Sequence, residues 1–176
     1  MATRTDGSTG RAAAPGPRPA ALYTPEQRRR RDASAWTLVQ GVLAPLQFVI
    51  FLVSLVLVLR CLATGAGEQA ATLSVVAKTL ALYTIMVTGC LWEKAVFGRW
   101  LFAPAFYWED MFSMLVLALH TAYLLALAGD WLPVRGQMLL ALAAYAAYVV
   151  NAAQFLLKLR AARLEAPPAQ LSGARA

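Results

Sequence analysis

Four apolar blocks, at about residues 36–59, 71–92, 109–129 and 136–158, constrain this chain more than any other feature. Each is close to the ~20 residues that an α-helix needs to cross ~30 Å of hydrocarbon. A backbone in lipid must satisfy its own N–H and C=O groups, so the blocks are expected to be helices and not strands. The chain is 60% hydrophobic and 14% charged, whereas a soluble domain is nearer half apolar and a quarter charged. The expected fold is therefore all-α, a polytopic membrane protein whose four transmembrane helices form a compact bundle over residues 34–160. Trp108 and Trp131 flank the third and shortest block as interface anchors.

The flanking segments set the expected orientation. Residues 1–33 are polar, rich in Ala, Pro, Gly and Arg, and end in the run Arg28–Arg31. Such a segment cannot bury enough apolar surface to fold alone. It is expected to be a disordered basic tail with no cleavable signal peptide, in which Thr24-Pro25-Glu26 starts a short juxtamembrane helix. Residues 161–176 are expected to form a flexible C-terminal tail. Of the 16 Lys and Arg, 13 lie in the two tails and the loop between the second and third blocks. Arg60 and Arg135 fall on the other side, and Lys78 lies inside the second block. This positive-inside pattern predicts both termini in the cytoplasm, with Arg28–Arg31 facing anionic headgroups. The net charge of +7 is thus a topology signal. Nucleic acid is not an expected partner, because no recognition fold accompanies the charge.

Several function classes are excluded. Cys61 and Cys90 are the only two cysteines, and the topology sets them about a membrane thickness apart, beyond the ~7 Å that a disulfide allows between Cα atoms. With one histidine and two separated cysteines, no zinc site of the usual spacing can form. A single histidine also cannot supply bis-His haem ligation within one chain. No P-loop, dinucleotide fingerprint, GxSxG or HExxH occurs.

Chemistry then rests on polar residues inside the blocks, which are costly in lipid and mark sites. The stretch FYWEDMFSMLVLALH, residues 106–120, carries Glu109, Asp110 and the only histidine, His120. On a helix, Glu109, Ser113, Val116 and His120 form one stripe, with Asp110 about 100° away and His120 about 15 Å deeper than Glu109. Gln40, Gln47 and Ser54 recur at heptad spacing in the first block. Lys78, Thr84, Thr88 and Glu93 lie in the second, and Asn151 and Gln154 share a face with Ala143 and Ala147 in the fourth.

Each has a plain structural account. The amides act as interhelical glue worth roughly 0.6–2 kcal/mol each, Lys78 snorkels outward, and the threonines bond back to their own helix. Glu93 pairs with Lys94 or Arg99, and acids in a first turn complement the helix dipole. Two adjacent acids behind Phe106, Tyr107 and Trp108 exceed what the dipole asks for. By depth, Gln40, Glu93, Glu109, Asp110, Asn151 and Gln154 fall in the cytoplasmic leaflet, with Gln47 and His120 deeper. The aromatic loop 98–108 lies along the same interface as a lid or platform. This pattern predicts a membrane-embedded site for a flat apolar molecule with a polar edge.

Longer segments carry a resemblance. YTPEQRRRRDAS (23–34), WTLVQGVLAPLQF (36–48), YTIMVTG (83–89), WEKAVFGR (92–99), LFAPAFYWEDMFSMLVLALHTAYL (101–124) and NAAQFLLKLR (151–160) resemble the vinyl bacteriochlorophyllide hydratases over about residues 23–165. Cys90 stands where that family's pattern has serine, which argues against a nucleophilic role. The resemblance implies an enzyme, a carbon–oxygen hydro-lyase of bacteriochlorophyll biosynthesis. It adds water to the 3-vinyl group of chlorophyllide a or a bacteriochlorophyllide and gives the 3-(1-hydroxyethyl) product. It implies no added cofactor, since magnesium belongs to the substrate, and a bacterial inner, photosynthetic membrane with tetrapyrrole and lipid as partners. The resemblance also implies other enzymes of the same synthesis as partners.

The residue roles come from the chemistry of hydration, which needs an acid, a negative group beside the cation, and a base for the water. Glu109 is the expected acid, Asp110 or Glu93 its electrostatic partner. His120 is a base that orients water or a ligand to the substrate magnesium. Gln40, Gln47, Asn151 and Gln154 bind the polar edge, and Trp100, Phe106 and Trp108 stack on the macrocycle. The rival expectation is a non-catalytic pigment carrier or assembly factor using the same pocket.

Overall fold

Among the described residues, apolar length and local caps together produce five helices: α1 (Pro25–Ala33), α2 (Ala35–Thr64), α3 (Glu68–Phe97), α4 (Tyr107–Ala128) and α5 (Val134–Leu164). The computed structural model describes residues 22–164, and no strand occurs among them. The expected disordered segment before residue 22 and residues 165–176 of the expected C-terminal tail lie outside the described residues, while residues 161–164 of that tail continue α5 as helix. Helices α2 to α5 are long and apolar enough to cross a membrane.

The helices outrun the apolar blocks because polarity alone does not end a helix. Glycine does. Gly65 closes α2 at φ 69° and Gly98 closes α3 at φ 77°, their N–H groups donating to the Cys61 and Lys94 carbonyls. Only a residue without Cβ takes these left-handed positions freely. Thr24 caps α1 through a capping box: its Oγ1 accepts the Gln27 N–H at 3.2 Å, and its own N–H donates to Gln27 Oε1 at 2.9 Å.

α2 and α3 form one antiparallel hairpin and α4 and α5 another. The hairpins meet chiefly through α2 against α5, with a briefer meeting of α3 and α4. Lipid tails are as apolar as leucine, so helices in a membrane are held by close packing and interhelical hydrogen bonds rather than by the hydrophobic effect. Ser54 bonds Ser74 at 2.7 Å and Tyr145 at 2.5 Å, and Tyr83 bonds Thr121 at 2.8 Å. Phe51 packs edge-on against Tyr145 at 5.4 Å. The outer face of α2, with Leu38, Val42, Val49, Val53 and Val56, is exposed and apolar, as a lipid-facing surface must be.

α1 lies against α3. Tyr23 anchors it, 5% exposed and stacked on Phe97 at 5.8 Å, with the Arg31 guanidinium 4.8 Å above its ring. Burial pushes the Tyr23 phenol above its ordinary range, and the Arg31 charge works against that shift. α1, the start of α4 and the end of α5 therefore gather at one end of the bundle, called the α1 end below.

Lys78 corrects the expectation that it snorkels. It is fully buried, with Nζ 3.8 Å from the centroid of the Tyr148 ring. The reason is its face: Ala71, Val75, Lys78 and Leu82 form one helical stripe, and all four are buried.

Candidate functional site

At the α1 end the loop between α3 and α4 doubles back over two acids. Phe102 adopts φ 58°, a left-handed position that costs a non-glycine residue about 1–3 kcal/mol and persists only where its surroundings hold it. Here two carboxylates do so. Asp110 Oδ2 accepts the Phe102 N–H at 2.8 Å, and Glu93 Oε2 accepts the Ala103 N–H at 3.1 Å. Successive N–H groups turned toward one anionic group form a nest. Glu93 comes from the last turns of α3 and Asp110 from the first turn of α4, and because they hold successive N–H groups of one loop, their carboxyl groups lie close enough to interact. Both are 5% exposed or less.

Phe106, 2% exposed, forms the neighbouring wall with Trp92 at 5.6 Å and Phe155 at 5.8 Å. Glu109 is buried beside the pair but turns to α5, where Lys158 Nζ binds its Oε2 at 2.6 Å. The same Nζ lies 5.1 Å from the Phe106 ring centroid. One turn deeper, Asn151 Nδ2 donates to Ser113 Oγ at 2.8 Å. Asn151 Oδ1 and Gln154 Oε1 have no protein partner. Gln40 ties α2 to α3, donating to Thr88 Oγ1 at 2.8 Å and to the Ile85 carbonyl at 3.4 Å.

Gln47 and His120 lie deeper, 4% and 0% exposed. His120 Nδ1 is 2.8 Å from the Val116 carbonyl. A carbonyl only accepts, so Nδ1 carries the proton, and Nε2, which has no partner, presents a lone pair to the core.

Glu93, Asp110 and Phe106 are thus brought together, with Glu109 and Asn151 alongside. Trp100 and Trp108 are not: they are 58% and 68% exposed on the outer surface. Sequence reasoning treated Lys158 only as a topology charge, although it continues the Asn151–Gln154 face at i+7 and i+4. The two loop N–H groups carry no side-chain signal and could not have been read. An open cavity at the opposite end, lined by Glu68, Thr72, Asp130 and Gln137 among others, shares no residue with this site.

A family model described as 2-vinyl bacteriochlorophyllide hydratase matches residues 23–161. A protein of that name from Rhodobacter capsulatus is 67% identical over 146 residues, 83% of this chain and 85% of the relative. Another, from Cereibacter sphaeroides, is 66% identical over 149 residues, 85% of this chain and 92% of the relative. No solved structure matches. The matched region contains every helix from α1 to α4 and almost all of α5, together with the paired acids and their loop, and the chain belongs to the 2-vinyl bacteriochlorophyllide hydratase family.

Proposed function

We propose that the Glu93–Asp110 pair supplies and recovers the proton when this chain adds water to the vinyl group of a bacteriochlorophyllide-type pigment. The hydratase activity follows from the family. Position 2 in the family's description and position 3 above denote the same substituent in two macrocycle numberings. The observation that carries the catalytic assignment is the seating of two buried carboxyls side by side on successive N–H groups of one loop. Two neighbouring acids so poorly solvated resist a double negative charge and keep one proton between them, so one group is an acid and the other a carboxylate.

The acid protonates the terminal vinyl carbon, and the π pair forms the new C–H bond. The cation left on the inner carbon is delocalised into the macrocycle beside the carboxylate. Water attacks that carbon through oxygen and gives a proton to the carboxyl pair, so one water is consumed and the pair is restored.

Glu109, the acid expected from sequence, is engaged by Lys158 and in this scheme supports the charge and position of the pair. Phe106 lies against the macrocycle, and Gln40, Asn151 and Gln154 face its polar edge. The free Nε2 of His120 would be the group to hold the substrate's magnesium. Trp100 and Trp108 anchor the α1 end at the interface. The basic flanks support placing that end at the cytoplasmic face of the bacterial inner membrane.

The purified chain with vinyl pigment should yield a product heavier by one water, and Glu93→Gln should not. Bound pigment with an intact vinyl group in the unmutated protein would instead identify a carrier.

A further inference from the structure

Each of the four long helices buries a polar side chain in the middle of the bundle, and the hydration scheme leaves Lys78 and Gln47 without a role. Lys78 of α3 is fully buried, and its Nζ, set over the Tyr148 ring of α5, has no hydrogen-bond partner. Gln47 of α2 is 4% exposed, and its Nε2 is also unpartnered. It lies one turn from Phe51, whose ring packs on Tyr148 at 5.0 Å. His120 of α4 packs against Tyr145, one turn from Tyr148 on α5, with ring centroids 5.9 Å apart.

Buried N–H groups without acceptors have lost their bonds to water and received nothing in return. The face of Tyr148 recovers only part of that loss for Lys78. What would relieve both Lys78 and Gln47 is a group with several acceptor oxygens and a negative charge.

The depth fits one such group. Tyr148 is one turn from Asn151, Asn151 bonds Ser113, and Ser113 is one turn from Asp110. This ladder sets Lys78 Nζ about 10 Å deeper than the acid pair, roughly two helical turns. That is the scale of a chlorin, from a substituent on one ring to the carboxylate carried by another. A chlorophyllide differs from a chlorophyll in leaving that carboxylate free.

We propose that Lys78, assisted by Gln47 of the facing helix α2, seats the free carboxylate side chain of the pigment and selects the free acid over its esters. The proposal rests on the hydratase reading and on the vinyl group lying at Glu93–Asp110. A neutral ester would bring acceptors but no counter-charge to Lys78.

The test uses the full chain in detergent, with vinyl pigment supplied as the free acid and as its methyl ester. Pigment binding is followed by absorbance and fluorescence, and turnover by mass. The unmutated protein should bind the acid at least tenfold more tightly than the ester. Lys78→Met should bind both alike, at the ester's affinity, and its pigment-free melting temperature should equal or exceed that of the unmutated protein. Methionine fills the volume without polar hydrogens.

Equal binding of acid and ester by the unmutated protein overturns the proposal, and that comparison needs no variant to fold. A preference retained in Lys78→Met overturns it as well. Glu93→Gln separates the two readings: it should lose turnover yet keep the acid preference. Water addition that fails in the unmutated protein while the preference stands would sink the hydratase scheme and spare the carboxylate seat.

Discussion

Replacing Glu93 with glutamine removes the shared proton while leaving the site's framework in place. Glu93 Oε2 accepts the Ala103 N–H at 3.1 Å, and a glutamine carbonyl can accept the same bond while its amide donates to Asp110. The loop therefore keeps its anchor, and the strained Phe102 at φ 58° keeps its restraint. The stability change should stay within about 1 kcal/mol, the net worth of one ordinary hydrogen bond. General acid catalysis contributes about 10²–10⁴ in rate, or roughly 3–5.5 kcal/mol at ~1.36 kcal/mol per tenfold.

Initial rates of hydroxyethyl pigment formation, measured with a thermal melt of the same preparation, should show that loss in kcat with melting nearly unchanged. Asp110→Asn should behave alike. The double variant should be no worse than either single one, since the two groups act as a unit. Alanine is the wrong probe, because it strands the buried Ala103 N–H at a cost of about 1–3 kcal/mol. If both amide variants keep rates within tenfold of the parent, the paired acids are not the proton source.

Glu109→Gln should cost up to about 1 kcal/mol of stability, since its partner Lys158 is a quarter exposed and screened. Its turnover should remain within tenfold, and a hundredfold loss would return the acid role to Glu109. His120→Ala should weaken binding of the magnesium pigment more than of the metal-free one, and equal losses for both would refute ligation through Nε2. Tyr23→Ala removes the aromatic anchor of α1 at a cost of about 3–5 kcal/mol by analogy with other large aromatic truncations. Trypsin should then cut faster at Arg29 to Arg31, and an unchanged cutting rate would show that Tyr23 does not hold α1 down.

Helical class and helix number were legible because membrane length and backbone satisfaction leave few alternatives for blocks such as 36–59 and 136–158. The stripe Glu109, Ser113, Val116, His120 was legible for a similar reason: one period governs a whole helix, and all four residues are buried. Partners were not. Periodicity gives each residue a face but says nothing about which neighbouring helix occupies it. Glu109 and Asp110 are adjacent in sequence yet turn to different helices, one to Lys158 on α5 and the other to Glu93 on α3. Lys78 has the spacing of a core residue and the chemistry of a surface one, and only the presence of Tyr148 opposite shows where its charge rests. The family, the helices and the set of acids and amides were thus determined by the sequence itself. Which acids meet, and which amine is left without an acceptor, was decided by tertiary packing, because those facts depend on contacts between residues far apart in the chain.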